Sequence, residues 1–184
     1  MKLALIASKK HGKDYLADLV LKHKPQYRKI AWADSLKEYC NELYPGLEKY
    51  NTPEAKDETV PESWNTNNET PRDIWERVSR EKSNEDDRFF HKITLKQIDK
   101  LIGETNGNII ITDTRNDWEY NDIKEMGFTV IYITRPGMPV FQGYDERIKK
   151  FYKDIKLTYS NEKDGLDFIN QLTYLESLEN QAKL

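Results

Sequence analysis

The chain has 184 residues, 37% hydrophobic and 33% charged, with a formal net charge of -3 and a single cysteine. That length suits one domain able to bury roughly 70% of its unfolded surface. The mild acidity argues against a dedicated nucleic-acid coat, which needs a basic surface. One cysteine, Cys40, excludes an internal disulfide and reads as a small apolar residue on a helix.

Leu3 to Ala7 form a short apolar run, read as a buried strand that passes straight into "SKKHGK". The run is too short for a secretory signal, and no stretch approaches the ~18 apolar residues of a membrane span. The expected setting is therefore a reducing cytoplasm. Leu16, Leu19 and Val20 then recur at helical spacing until Pro25. Tyr27 to Ala33 reads as a second strand, and "DSLKEYCNELY" as a helix capped by Asp34 or Ser35.

Residues 45–71 change character, with four prolines, many acidic and amide side chains and few apolar ones. This stretch is expected to be a mobile surface excursion. "TPRDIWERVSREK" follows as a helix with Thr70 as cap and Pro71 at its first position. A further helix covers about residues 86–102. "NIIIT" and "FTVIYIT" are buried strands separated by a helix, "DWEYNDIKEMG", that Gly127 closes. "RPGMPVFQGYDERIKKFYKD" is irregular and charged, "IKLTYS" is a last strand, and "GLDFINQLTYLESL" a last helix.

Short apolar strands alternating with helices imply an α/β fold with a parallel sheet of about five strands, helices on both faces. In such sheets ligands bind beyond the carboxyl ends of the strands. Every chemistry-bearing stretch falls at one of those ends.

The first is Ala7 to Asp14. The pattern G-x-x-x-x-G-K-[ST] describes a loop whose backbone N–H groups and following helix dipole form an anion hole. Here Ala7 stands at the first glycine, and Asp14 at the hydroxyl position. Ser8, Lys9, Lys10 and His11 would supply backbone to the cradle, Gly12 close approach, and Lys13 a charge for the outer phosphates. The His11 backbone is expected to matter more than its ring. Asp14 is a good oxygen ligand for Mg²⁺. The bland alternative is a basic turn before an ordinary helix.

The second is "IIITDTRNDWE", in which Asp113, Arg115 and Glu119 lie at or beyond a strand tip. Arg115 suits bidentate phosphate contact; the alternative is a helix cap with a surface charge pair. Lys37 lies one turn into a helix after a strand. Arg72 and Arg80 share one helix face, with Arg77 elsewhere. Arg147, Lys149, Lys150 and Lys153 form either a cationic flap or a solvated face. The tryptophans read as packing residues, with Trp32 as one possible nucleobase contact. His11, His23 and His91 show no metal-ligand spacing.

Taken together, "GKDYLAD", "ADSLKE", "TPRDIWERVSRE", "DTRNDWEYNDIKEMGFTVIYITRPG" and "YSNEKDGLDFI" resemble the deoxynucleoside monophosphate kinases of large DNA bacteriophages. These are a branch of the P-loop nucleoside monophosphate kinases. In that family aspartate is usual after the loop lysine. The departures are Tyr15 for a small hydroxyl residue, Ser79-Arg80-Glu81 for a Gly-Thr-acid turn, and Gly143 for a histidine.

The resemblance implies a single three-layer P-loop kinase domain over residues 1–184, with 45–71 on the acceptor side and 135–153 as a lid. It implies transfer of the γ-phosphoryl of ATP, with Mg²⁺, to a deoxynucleoside monophosphate. Ser8 to Tyr15 and Arg135 would bind ATP, and Asp14 the metal. Leu36, Lys37, Arg72, Arg80, Asp113, Arg115 and Glu119 would bind the acceptor. Lys13, Arg115 and Asp113 would be catalytic. The partners are small molecules, with no nucleic acid or membrane, and the chain would act as a monomer or homodimer in the cytoplasm, the host's if phage-encoded. A kinase of another small acceptor and a non-catalytic ATP-binding module are the alternatives.

Overall fold

Five short runs flanked by turns or helices become strands, and the three central ones are apolar and largely buried on both faces. In the computed structural model the five are β1 (Lys2–Ile6), β2 (Arg28–Ile30), β3 (Ile109–Ile111), β4 (Thr129–Thr134) and β5 (Leu157–Ser160). The structure describes residues 1–52, 54–64, 68–139, 143–152, 157–160 and 165–181. Among them the sheet is five-stranded, all parallel, in the order β2-β3-β1-β4-β5. The expected α/β fold is present.

Helices connect the strands: α1 (Lys13–His23), α2 (Asp34–Leu43), α3 (Pro71–Glu85), α4 (Phe89–Glu104), α5 (Asp117–Glu125), α6 (Lys149–Tyr152) and α7 (Leu166–Gln181). The chain divides into two compact units, one of residues 1–31 and 98–184, the other of residues 32–97.

The first unit holds the sheet. Its core joins Leu3, Leu5, Leu16, Val20, Ile110, Ile131, Ile133, Phe168 and Leu172, so both α1 and α7 bury an apolar stripe on the strands. A polar clamp adds to this packing: the Tyr27 hydroxyl donates to Glu176 Oε1 at 2.5 Å, and Lys24 Nζ to Glu176 Oε2 at 2.6 Å.

The second unit packs α2 and α3 around Cys40, Leu47, Val60, Ile74 and Val78. The described part of residues 45–71 carries three 3₁₀ turns, Leu47–Tyr50, Ala55–Asp57 and Glu62–Trp64, and buries Leu47 and Val60 in the unit's core. One expectation is corrected here: neither Asp34 nor Ser35 caps α2, which starts from Ala33 with no side-chain cap. The Ser35 hydroxyl is buried and engaged with the Phe90 carbonyl (3.1 Å) and the Thr94 hydroxyl (2.7 Å). By contrast, Thr70 and Asp73 form the reciprocal cap of α3, with Pro71 at its first turn as expected.

Burial pushes the Cys40 thiol up to about 11, with Arg77 opposing weakly. The thiolate is the reactive form. Cys40 should therefore resist a thiol reagent in native protein and react at once after unfolding, as an absorbance assay with an aromatic disulfide would show. Rapid native labelling would contradict the burial.

Candidate active site

β1 lies between β3 and β4, so three loops leave the sheet at one edge: those after Ile6, Ile111 and Thr134. The loop after β1 turns through left-handed backbone at Lys10 (φ 69°) and Gly12 (φ 85°), and His11 N–H bonds the Ser8 carbonyl at 3.3 Å. Ala7 is buried and is not one of the left-handed positions, which removes the objection to alanine there. α1 then starts at Lys13 with no side-chain cap. An uncapped helix start after such a turn presents backbone N–H groups and the positive dipole end to an anion.

Lys13 Nζ, on a side chain only 15% exposed, donates to Asp14 Oδ2 at 2.6 Å. Lys29 on β2 lies 3.8 Å from Asp14 Oδ1 and 2.9 Å from Asp18 Oδ1. The sequence reading missed Lys29; its only signal was a cation one residue before buried Ile30. Burial works to raise the Asp14 pKa, but Lys13, Lys29 and a hydrogen bond with Thr112 outweigh it, and the carboxyl sits below its ordinary 3.8.

A carboxyl depressed by folding stabilises the native state above its unfolded value and loses that contribution as pH falls through its folded value. Asp14→Asn should thus flatten the acid limb of the stability profile below about pH 4. Urea unfolding from pH 6 to pH 2.5 measures this, and an acid limb identical to that of the unaltered protein would refute it.

After β3, Thr112 and Thr114 are buried while Asp113 and Arg115 are half-buried. The cap of α5 is Asn116, not Asp113. Buried Glu119 accepts from the backbone N–H of Arg115 (2.6 Å) and of Asn116 (2.9 Å) through Oε2, and from the Asn116 amide through Oε1 (2.9 Å). Both of its oxygens serve this cap, because four orphan N–H groups begin any helix. Glu119, expected from sequence to contact the acceptor, supports the Arg115 backbone in this structure.

After β4, the Arg135 N–H donates to His11 Nδ1 at 2.9 Å, and His11 Nε2 lies 3.1 Å from the Pro139 carbonyl. The His11 ring is thus engaged through both of its nitrogens. The irregular segment expected beyond includes a 3₁₀ turn, Gly143–Ile148, followed by α6. Arg147 donates to Asn116 Oδ1 (3.3 Å), Lys150 pairs with Asp117 (2.5 Å), and Phe151 stacks on Tyr120 with centroids 4.4 Å apart. Lys153 lies outside the described residues. Tyr15 is half exposed, and its ring edge adjoins Gly165.

The second unit carries Leu36, Lys37, Arg72 and Arg80. Leu36 packs on the unit's core, and Lys37 Nζ stands 5.6 Å from the Trp75 ring centroid. Arg72 Nε pairs with Asp57 at 2.6 Å on the surface, a contact worth at most about 1 kcal/mol and readily exchanged. Arg80 is exposed. Arg77 is the arginine built into the structure, bonding both Glu69 oxygens and the Tyr44 hydroxyl. Trp32 is buried and stacked on His91 (4.8 Å), so it is a packing residue and not an open base contact.

Residues 83–150 match the model of the deoxynucleotide monophosphate kinase family. The fold is similar to that of a dephospho-CoA kinase from Campylobacter jejuni, with a TM-score of 0.55, 12% identity, and 99% of this chain and 98% of that one covered. A thymidylate kinase from Candida albicans is similar at a TM-score of 0.41 and 14% identity, with 97% and 92% covered. No curated protein matches the chain. The likeness is one of fold: a five-stranded, all-parallel sheet covered by helices. Among the described residues, no helix is long and apolar enough to cross a membrane.

Proposed function

We propose that this protein transfers the γ-phosphoryl group of ATP to a deoxynucleoside 5′-monophosphate, giving ADP and a deoxynucleoside diphosphate. The observation that carries the reading is one sheet edge. It brings together the uncapped start of α1 with Lys13 and Asp14, the Asp113–Arg115 loop, and Arg135. The family match over residues 83–150 supports the choice of acceptor.

An acceptor phosphate oxygen attacks the γ-phosphorus, the bond from that phosphorus to the bridging oxygen breaks, and ADP leaves with the electron pair. Catalysis is then positioning and charge stabilisation. The backbone of Ser8 to Lys13 holds the donor phosphates, aided by the charges of Lys9 and Lys10, and Tyr15 borders the donor. Lys13 exchanges its Asp14 partner for the phosphoryl group in transit. Arg115, its backbone fixed by Glu119, steadies the acceptor phosphate, and Asp113 orients the acceptor. Leu36, Lys37, Arg72 and Arg80 are further residues we assign to acceptor binding. Arg135 and the cations of the 135–153 segment close over the reaction and exclude water.

Asp14 fits Mg²⁺: it is an ionised oxygen donor in the first turn after the phosphate loop, with the Thr112 hydroxyl in its hydrogen-bonding sphere. No group of three or more His, Cys, Asp or Glu is placed to hold a metal among the described residues, so the ion would share its coordination with phosphates and water. When bound, Mg²⁺ neutralises charge on the donor phosphates.

The test is ADP production from ATP and Mg²⁺ with each of the four deoxynucleoside monophosphates. Turnover with one or more establishes the reaction and its base preference. Silence with all four, while ATP still binds, would move the reading to another small acceptor or to a non-catalytic nucleotide binder.

A further inference from the structure

A histidine inside a phosphate loop needs a reason, and its ring supplies one. His11 is 1% exposed. Its Nδ1 accepts the Arg135 N–H, so that nitrogen bears a lone pair and not a proton. A neutral imidazole then carries its hydrogen on Nε2, which donates to the Pro139 carbonyl. The two partners, one a donor and one an acceptor, dictate a single tautomer.

Those partners are the two ends of one turn. Between them the Met138 N–H bonds the Arg135 carbonyl at 3.2 Å, and Gly137 takes φ +75°. The ring therefore grips the first N–H and the last C=O of a closed five-residue turn. The pairing of Ile6 with Tyr132 sets the roots of the two loops side by side, and the length of an imidazole sets their separation further out. The left-handed turns at Lys10 and Gly12 bracket His11 and aim its side chain across that gap.

We propose that His11 is a positioning residue: its Nε2–H imidazole clasps the phosphate loop to the Arg135–Pro139 turn and so fixes where Arg135 stands over the donor phosphates. This rests on the proposed ATP-dependent reaction. The two bonds are separable by substitution. Asn Oδ1 falls near the place of Nδ1 and keeps the bond from Arg135, whereas Gln Nε2 falls near the place of the histidine Nε2 and keeps the bond to Pro139. A residue that merely filled space would not distinguish them.

The experiment uses the full chain in four forms: unaltered, His11→Ala, His11→Asn and His11→Gln. Long-range nitrogen–proton correlation spectra of the unaltered protein report the tautomer. Amide exchange reports the Arg135 N–H, and steady-state kinetics separate the KM for ATP from kcat. The expected results are a proton on Nε2 and exchange of Arg135 N–H faster by about tenfold in His11→Ala, restored by Asn but not by Gln. The KM for ATP should rise about tenfold in His11→Ala while kcat changes by less than about threefold. A proton on Nδ1 would overturn the clasp, as would unaltered Arg135 exchange in the alanine and glutamine variants. Unfolding of His11→Ala leaves the decision to the tautomer and the Asn–Gln contrast. Failure of the kinase reading shows separately, as absent turnover with all acceptors; tautomer and exchange then still decide the clasp, with ATP affinity in place of KM.

Discussion

Lys13→Ala is expected to lower kcat by about 10²–10³-fold, the loss typical of removing one preorganised charge-stabilising group from a transition state. Lys13 is the first residue of α1, and its ammonium leans on Asp14 at the phosphate-loop end of the helix. Alanine is the best helix former at such a position, and the lost pair has a largely exposed carboxylate. The fold should therefore survive almost unchanged, with melting within a few degrees of the unaltered protein. That separation makes the result diagnostic: activity falls by orders of magnitude while stability does not. Lys13→Arg should recover little, since a planar fork cannot follow a moving phosphoryl group as a compact ammonium does. ADP production at saturating ATP, beside thermal unfolding followed by circular dichroism, reads both quantities. A kcat within tenfold of the original would remove Lys13 from the mechanism.

Much of the sheet was legible because its signal is local. Ile109, Ile110 and Ile111, or the apolar run within "TVIYIT", declare buried strands without reference to anything distant. The strand order is different in kind, since parallel neighbours such as Leu3 and Ile110 are brought together only by the whole crossover. The phosphate loop was legible in its backbone and not in its side chains. Gly12 and Lys13 follow a strand and open a helix, a context that can be read from the letters. The ring of His11, however, meets Arg135 and Pro139, 124 and 128 positions away, and no periodicity encodes such a bond. Glu119 carried an ambiguous signal. Its distance from Asn116 fits a capping box, and a carboxylate beyond a strand tip also suggests a ligand contact; the structure shows the capping bonds. Leu47 and Val60 were lost among prolines and acids because an isolated apolar residue has no period. Ser35 looked like a cap by its place in the chain, but its hydroxyl is drawn to Thr94.

Gly165→Val should destabilise the protein by about 2–5 kcal/mol. Two costs combine. Gly165 adopts φ +80° in the turn that leads into α7, a left-handed conformation that costs an L-residue about 1–2 kcal/mol, more when β-branched. A Cβ there would also stand 2.8 Å from Leu16 Cδ2 and 2.9 Å from Leu19 Cδ2. Leu16 is fully buried among Leu5, Val20 and Phe168, so it cannot swing aside without disturbing the core beneath α1. Overpacking of this kind costs about 1–3 kcal/mol. For a chain of this size the sum lowers the melting temperature by roughly 5–15 °C. The damage should reach function through the same leucine, because α1 is the helix whose first turn bears Lys13 and Asp14. ATP binding by the folded fraction should weaken along with stability, and Gly165→Ala should show a smaller version of both effects. Thermal unfolding with and without ATP measures them together. A valine variant that melts with the unaltered protein would mean that the turn and the two leucines yield freely, and that α1 is not held in place by its packing against this turn.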